Sequence, residues 1–370
     1  MLERGLEEKF YVLNLGPQHP STHGVLRVEL QMEGEFIVKA DPDIGYGHRG
    51  HEHMAENRSY LQFLPNLGRV DYLHALAYNQ CYCMAVEKLL ELKVPERAEF
   101  IRVITCELNR IASHLLWIGA YLLDLGAFTP FLYCFDDREN ILDLLDRVTG
   151  SRLTYCYYRF GGVPRDVDDD FLAGCKAFAK RLRSRYRDYE NLVNKNVIFL
   201  ERTKGIGIIS QEQCVKYGLT GPMVRGSGIP YDIRKCEPYS AYPLFDFEIP
   251  VGTTGDIYDR YMVRYREMEQ SLRIIEQAVD KIPSGPIMAE KVPKRIKPAP
   301  GEVYTAVEAA RGEFGIYLVS QGDTNPYRLK LRVPSFGNLS ILPEIAVDTL
   351  VADLVAILGS IDVVVPEIDR

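Results

Sequence analysis

The run from Phe100 to Leu125 constrains this chain more than any other segment. Phe100, Ile101, Ile104, Leu108, Ile111, Leu115, Ile118, Leu122 and Leu125 recur at three- and four-residue steps. That spacing gathers apolar side chains on one face of an α-helix. The helix is expected to end near Gly126, before Pro130. Glu107, Asn109, Arg110 and His114 interrupt it, and Glu107 and His114 share a face. Polar groups on a buried helix must be paired, so buried hydrogen bonding is the favoured reading for them.

The segments around this helix are of both kinds. Residues 9–40 read as short strands, with Glu33-Gly34-Glu35 as a turn. Helical patterns follow over 71–92, which stops before Pro95, and over 136–149, which is stopped by Gly150. Residues 168–195 and 256–281 read as charged helices. Residues 302–334 return to strands, and a last helix is expected from Pro343 to Leu358. The class is α+β: a central helical bundle with β-rich N-terminal and C-terminal parts. No linker-like tract or repeat divides it. We expect one body over 1–370, with 1–48 β-rich, 49–285 mainly helical, 286–342 β-rich, and 343–370 a helix and tail.

Composition narrows the partners. The chain has 370 residues, 46% of them hydrophobic, which is ample for a large core. Its net charge of −7 argues against a nucleic-acid surface, which needs clustered Lys and Arg. The longest apolar run, Leu115 to Leu123, is far short of the ~20 residues a membrane helix needs. Met1 to Gly5 carries no signal-like apolar segment. The eight Cys form no C-x-x-C. They read as free, mostly buried thiols, and no iron–sulfur cluster is expected on this chain.

All seven His lie in the first 114 residues. In Gly16-Pro17-Gln18-His19-Pro20-Ser21-Thr22-His23-Gly24, two Pro and two Gly fix the backbone and Pro20 forbids a regular helix. His19 and His23 are therefore no helical metal pair. A plain turn and a rigid loop presenting imidazole both remain open. The run His48-Arg49-Gly50-His51-Glu52-His53 lacks H-E-x-x-H. A solvated or hydrogen-bonded cluster is the favoured reading over a metal site.

Ordered motifs along nearly the whole chain resemble a known family. They are the Gly16–Gly24 loop, then Asp43-Ile44-Gly45-Tyr46-Gly47-His48-Arg49-Gly50, then Arg69-Val70-Asp71-Tyr72-Leu73. Leu123-Asp124-Leu125-Gly126-Ala127, Arg225-Gly226-Ser227-Gly228 and Tyr231-Asp232-Ile233-Arg234-Lys235 follow. Glu308-Ala309-Ala310-Arg311-Gly312-Glu313, Pro326-Tyr327-Arg328, Pro334-Ser335-Phe336 and Asp369-Arg370 close the series. Together they resemble the D-type subunit of NADH:quinone oxidoreductase, respiratory complex I. That family is related to the large subunits of nickel–iron hydrogenases, and the resemblance implies a hydrogenase-large-subunit-like fold. Hydrogenases grip their metal with paired C-x-x-C motifs. The matching positions here are Asp71 and His74, then Val364 and Glu367. Soft thiolates select such a centre, so no metal is expected on this chain.

The resemblance implies a quinone headgroup site in the space of the lost metal. Tyr72 and His23 would be its ligands, with His19 a further quinone contact and Asp124 the carboxylate partnering the histidine. Tyr72, His23 and Asp124 would be the catalytic set. Electrons would arrive from a 4Fe–4S cluster on a neighbouring subunit, with Arg49, Arg69 and Thr154 near that interface; a surface salt-bridge role for the two Arg remains open. Further partners implied are the C-type subunit and a membrane-arm subunit. The expected location is peripheral, on the cytoplasmic side of a bacterial or archaeal plasma membrane. Two alternatives are an equivalent subunit fed by ferredoxin or a deazaflavin, and a hydrogenase-type metal enzyme. A non-catalytic scaffold is the third.

The resemblance also shows a departure: many ubiquinone-reducing relatives carry a His where this chain has Thr154. Losing a titrating donor beside the cluster should lower its potential and flatten its pH dependence, which suits a low-potential quinone such as menaquinone. Redox titration of that cluster at several pH values should give a shallow slope; a steep one contradicts this expectation.

Overall fold

A computed structural model of the chain describes residues 10–18 and 24–370. His19 and His23 lie outside the described residues. The fold is α+β. Strands β1 (Tyr11–Leu15), β2 (Arg27–Glu33) and β3 (Phe36–Asp43) form an antiparallel sheet in that order. Glu33 pairs with Phe36 across the turn, and Gly34 takes φ 62°, a conformation glycine adopts without steric cost. Helices α1 (His51–Glu56), α2 (Tyr60–Leu67), α3 (Ala75–Leu89), α4 (Glu96–Asp124), α5 (Phe128–Thr149) and α6 (Asp169–Tyr189) follow. Four short helices come next: α7 (Val197–Glu201), α8 (Gln211–Lys216), α9 (Pro222–Gly226) and α10 (Ile233–Cys236). The long α11 (Ile257–Lys281) precedes a second antiparallel sheet of β4 (Gly301–Ala309), β5 (Gly312–Ser320) and β6 (Arg328–Arg332). The chain closes with α12 (Pro334–Leu339), α13 (Leu342–Ile345), α14 (Val351–Ile361) and α15 (Val365–Asp369).

Helix α4 is the axis. It packs against α3, α5, α11 and α14. Every residue from Phe100 to Leu115 is buried, so the helix is enclosed on all sides rather than on one apolar stripe. Its polar side chains are paired as expected. Arg102 makes two hydrogen bonds to the Glu87 carboxylate on α3, at 3.1 and 2.6 Å. Glu107 accepts from Arg110, Arg234, Tyr242 and Ser271. Burial works against its charge, yet Arg110 and Arg234 hold its carboxyl below the ordinary range. His114 bonds Glu267 of α11 at 3.0 Å.

Several boundaries differ from the sequence reading, each for a local reason. The fifth helix begins at Phe128, not near 136, and includes Pro130 in its first turn. A backbone N–H has no intrahelical partner there, so proline costs little. The third helix starts at Ala75, not 71, because Asp71 turns the preceding chain by accepting the backbone N–H of Leu73. The charged helix ends at Tyr189 and passes into a π turn over Glu190–Asn194. The expected helix from Pro343 to Leu358 is two helices. Between them Asp348 takes φ 60° and its N–H bonds Ile37 O, while Ile37 N–H bonds Thr349 O. Pairing with β3 thus wins over helix continuation. The expected tail folds as α15.

Burying both Arg102 and Glu87 leaves neither able to lose its partner cheaply. Glu87→Ala should destabilise the chain by about 3 kcal/mol, because the buried Arg102 then keeps only Glu99, 3.7 Å away, as its counter-charge. Glu87→Leu with Arg102→Leu should recover much of that loss. Urea denaturation of the three proteins compares them directly.

Candidate functional site

The segment from Arg69 to His74 is built around Asp71. This carboxylate is fully buried, and it accepts the N–H groups of Leu73 and His74 at 3.0 and 3.4 Å. The turn so fixed sends the neighbouring Tyr72 outward, where it is 36% exposed. Partial desolvation raises its phenol, and Arg311 opposes that rise.

Arg311 comes from the far end of the chain. Ala309 pairs with Gly312, so Ala310 and Arg311 form the tight turn between β4 and β5. That turn plugs into the start of α3. Arg311 is fully buried and bonds Asp71 at 2.8 Å, Asp362 at 3.2 Å and Ser113 at 3.2 Å. Arg264 of α11 extends the chain of charges, lying 3.6 Å from Asp362. Burial pushes the Asp71 carboxyl up, and Arg311 pulls it down. Burial wins, so the carboxyl stays above its ordinary value, while the three donors aimed at Asp71 favour its ionised form.

The four positions that match hydrogenase thiolates are each engaged otherwise. Asp71 is ion-paired, as above. The ring of His74 is buried and committed to backbone: Nδ1 accepts the Ala310 N–H at 2.9 Å, and Nε2 lies 3.1 Å from Cys106 O. This assigns the proton to Nε2. Burial drives its pKa far below the ordinary value, so it stays neutral. Val364 offers no donor atom, and Glu367 accepts hydroxyl hydrogens from Tyr78 and Ser335. This donor set does not fit a nickel–iron centre. Among the described residues no group of three or more His, Cys, Asp and Glu is arranged to hold a metal ion.

Other sequence motifs meet at α15 and beside the Arg69–His74 segment. Asp369 accepts the N–H groups of Gly45 and Gly47 at 2.8 and 2.6 Å, and its carbonyl meets His48 Nδ1 at 2.6 Å. A Cβ placed on Gly24 would touch the Val365 side chain at 3.4 Å. The end of the Gly16–Gly24 loop therefore lies against α15, the helix that carries Glu367. Arg49 and Arg69 are exposed and adjacent: Arg49 Nη2 bonds Arg69 O at 2.6 Å. Thr154 is close by, since Gly68 faces Tyr155 O at 3.2 Å from a built Cβ. Thr154 takes φ 51°, which is strained for a β-branched residue. Asp124 is the last residue of α4 and is half-buried. The adjoining Leu122, Leu125, Ala127, Val193 and Phe199 line a cavity of about 190 Å³.

The His48–His53 run does not converge. His51 is buried, His53 is exposed, and His48 holds the C-terminal helix. All eight Cys are free, six of them buried.

The family described as Respiratory-chain NADH dehydrogenase, 49 Kd subunit, matches residues 124–299 and 290–370. The D subunit of NADH-quinone oxidoreductase from Syntrophobacter fumaroxidans is 63% identical, over 98% of this chain and 97% of its own length. The protein of the same name from Desulfotalea psychrophila is 60% identical over 98% of each chain. That of Bacillus mycoides is 49% identical, over 97% of this chain and 98% of its own. The chain belongs to this family. It is an oxidoreductase subunit, one polypeptide of a multi-subunit respiratory complex. The family's hydrogenase-large-subunit-like fold agrees with the α+β arrangement described above. No helix among the described residues is long and apolar enough to cross a membrane.

Sequence reasoning named Tyr72 but gave Arg311 no role. The available signal was the arginine set between two strand patterns and followed by Gly312, which reads as a charged residue in a tight turn.

Removing Arg311 should make stability depend strongly on pH. In Arg311→Leu, Asp71 keeps its burial and loses its cation, so its folded pKa rises further above the unfolded value. The cost is small near about pH 4, where the acid is protonated in both states, and grows as pH rises. Thermal unfolding at about pH 4.5 and about pH 8 should show the gap to the parent widening. A constant gap contradicts the assigned charge on Asp71.

Proposed function

We propose that this chain forms the quinone headgroup site of a proton-translocating NADH:quinone oxidoreductase. One observation carries the reading: an outward-facing phenol sits directly beside a buried ion pair, where the related enzymes place a metal thiolate. Reduction of a quinone takes two electrons and two protons. Negative charge develops on the two carbonyl oxygens, and each then takes a proton. Tyr72 can donate a hydrogen bond to one such oxygen and supply its proton. Arg311, held by Asp71 and Asp362, puts a fixed positive charge behind the phenol and favours the phenolate that remains.

His23, and His19 beside it, would serve the other carbonyl. Asp124 would orient the imidazole and raise its pKa. The contact between Gly24 and Val365 supports bringing that loop to the same region. Electrons would reach the quinone from a 4Fe–4S cluster on a partner chain that packs against Arg49, Arg69 and Thr154. The adjacency of these three residues supports a single docking face. Further contacts would be made with the C-type subunit and with a membrane-arm subunit, leaving this chain peripheral, on the cytoplasmic side of the membrane. Charge changes at His23 and Asp124 would then be passed to the membrane arm as proton pumping.

A hydrogenase-type reading is not favoured, because the thiolate positions carry Asp71, His74, Val364 and Glu367, all but the valine engaged in other bonds. Tyr72→Phe tests the proposal. Losing the proton donor should slow quinone reduction on the order of a hundredfold. Assembly of the complex and reduction of the partner's cluster should be unchanged. Unchanged quinone turnover would refute the assignment.

A further inference from the structure

Behind Tyr72 lies a buried carboxylate that has no ion-pair partner of its own. Asp71, Arg311, Asp362 and Arg264 form a run of contacts at 2.8, 3.2 and 3.6 Å, with two acids against two bases. Glu367 stands outside that run. It is fully buried, and among the described residues it forms no ion pair. Its carboxyl oxygens meet only hydroxyls: Tyr78 Oη on one side and Ser335 Oγ on the other. Ser335 Oγ also accepts the Val364 N–H at 3.3 Å, which fixes it in place. Tyr78 is fixed too, stacked on Phe314 with ring centroids 3.9 Å apart.

The groups that face Glu367 come from every element around it. Asp71 stands before α3, Tyr78 is on α3, Arg311 is in the β4–β5 turn, and Ser335 is on α12. The run of ion pairs is already neutral. Ionising Glu367 would therefore place a charge with no ion-pair partner of its own in a dry interior, which is costly unless a proton is kept. Asp71 is the poorer proton holder of the two, because it receives two backbone N–H groups and a guanidinium. The surplus proton falls to Glu367.

We propose that Glu367 is a buried carboxylic acid that carries an exchangeable proton at neutral pH and acts as a positioning residue for Tyr72. Its charge state sets the field in which the phenol gives up its own proton. Arg311 is the link: it is felt by Glu367, Asp71 and Tyr72 alike. The proposal rests on Tyr72 being the quinone's proton donor. Burial, and after it the charge of Asp71, pushes the Glu367 carboxyl up to about 7. Below that value the acid is neutral. Above it the new negative charge offsets Arg311, makes Tyr72 a weaker acid, and slows quinone reduction.

The test uses the intact complex in membranes, with Glu367→Gln as an isosteric group that is always neutral. Infrared spectra taken across a pH titration should show a protonated carboxyl C=O band that disappears near about pH 7 in the parent and is missing in E367Q. Quinone reduction in the parent should fall severalfold between about pH 7 and about pH 9, and stay within about twofold in E367Q. Ser335→Ala, which removes a donor to the ionised form, should move both the band and the rate profile to higher pH. A band that survives in E367Q at parental strength overturns the proposal. So does an E367Q rate profile that superposes on the parent's. The band is read without quinone, so it still titrates if Tyr72→Phe shows the quinone reading itself to be wrong.

Discussion

The guanidinium of Arg311 lies fully buried between Asp71 and Asp362, and the rest of the site takes its shape from that contact. It joins the turn before α3, the tight turn of the second sheet and the end of α14, segments far apart in the chain. A single charge in a dry interior is expensive, and the geometry offsets that cost only because each acid is also bonded elsewhere. Asp71 is held by two backbone N–H groups, and Asp362 faces Arg264. With Asp71 fixed, Tyr72 has one direction left to it, outward.

The same logic runs through the helical core. Helix α4 buries charged residues on all sides, and each finds a partner on a different element: Arg102 on α3, Glu107 on α10, His114 on α11. Arg225 then ties Glu267 to Glu308 of the second sheet, at 2.6 and 2.7 Å. Apolar packing alone would tolerate small slips between helices. Paired charges do not, because a slip leaves one of them unpartnered. The result is a fixed frame that places the end of α4, with Asp124, and the β4–β5 turn, with Arg311, relative to each other.

Much of this was legible in the sequence, and the remainder was hidden for physical reasons. The three- and four-residue rhythm of Phe100 to Leu125 revealed the central helix, because that rhythm depends only on local geometry. Glu33-Gly34-Glu35 revealed a hairpin turn for the same reason. Pro130 misled, since proline reads as a breaker yet is harmless in a first turn. The break at Asp348 could not be read, because it is made by bonds to β3, some three hundred residues earlier in the chain. Tyr72, Asp124, Arg49 and Arg69 stood out by motif. Arg311 and Tyr78 did not, because their roles arise from contacts 240 and 289 residues away. Local rules find a residue carried by a motif more readily than the buried ones that hold it in place.

On the proposed reading, a quinone headgroup sits against Tyr72. Photoaffinity labelling of the assembled complex, with a quinone carrying the reactive group on its ring, addresses it most directly. The account predicts label on the Arg69–His74 peptide of this chain, displaced by excess unlabelled quinone. Saturable label confined to other peptides, with none on that segment, would contradict it.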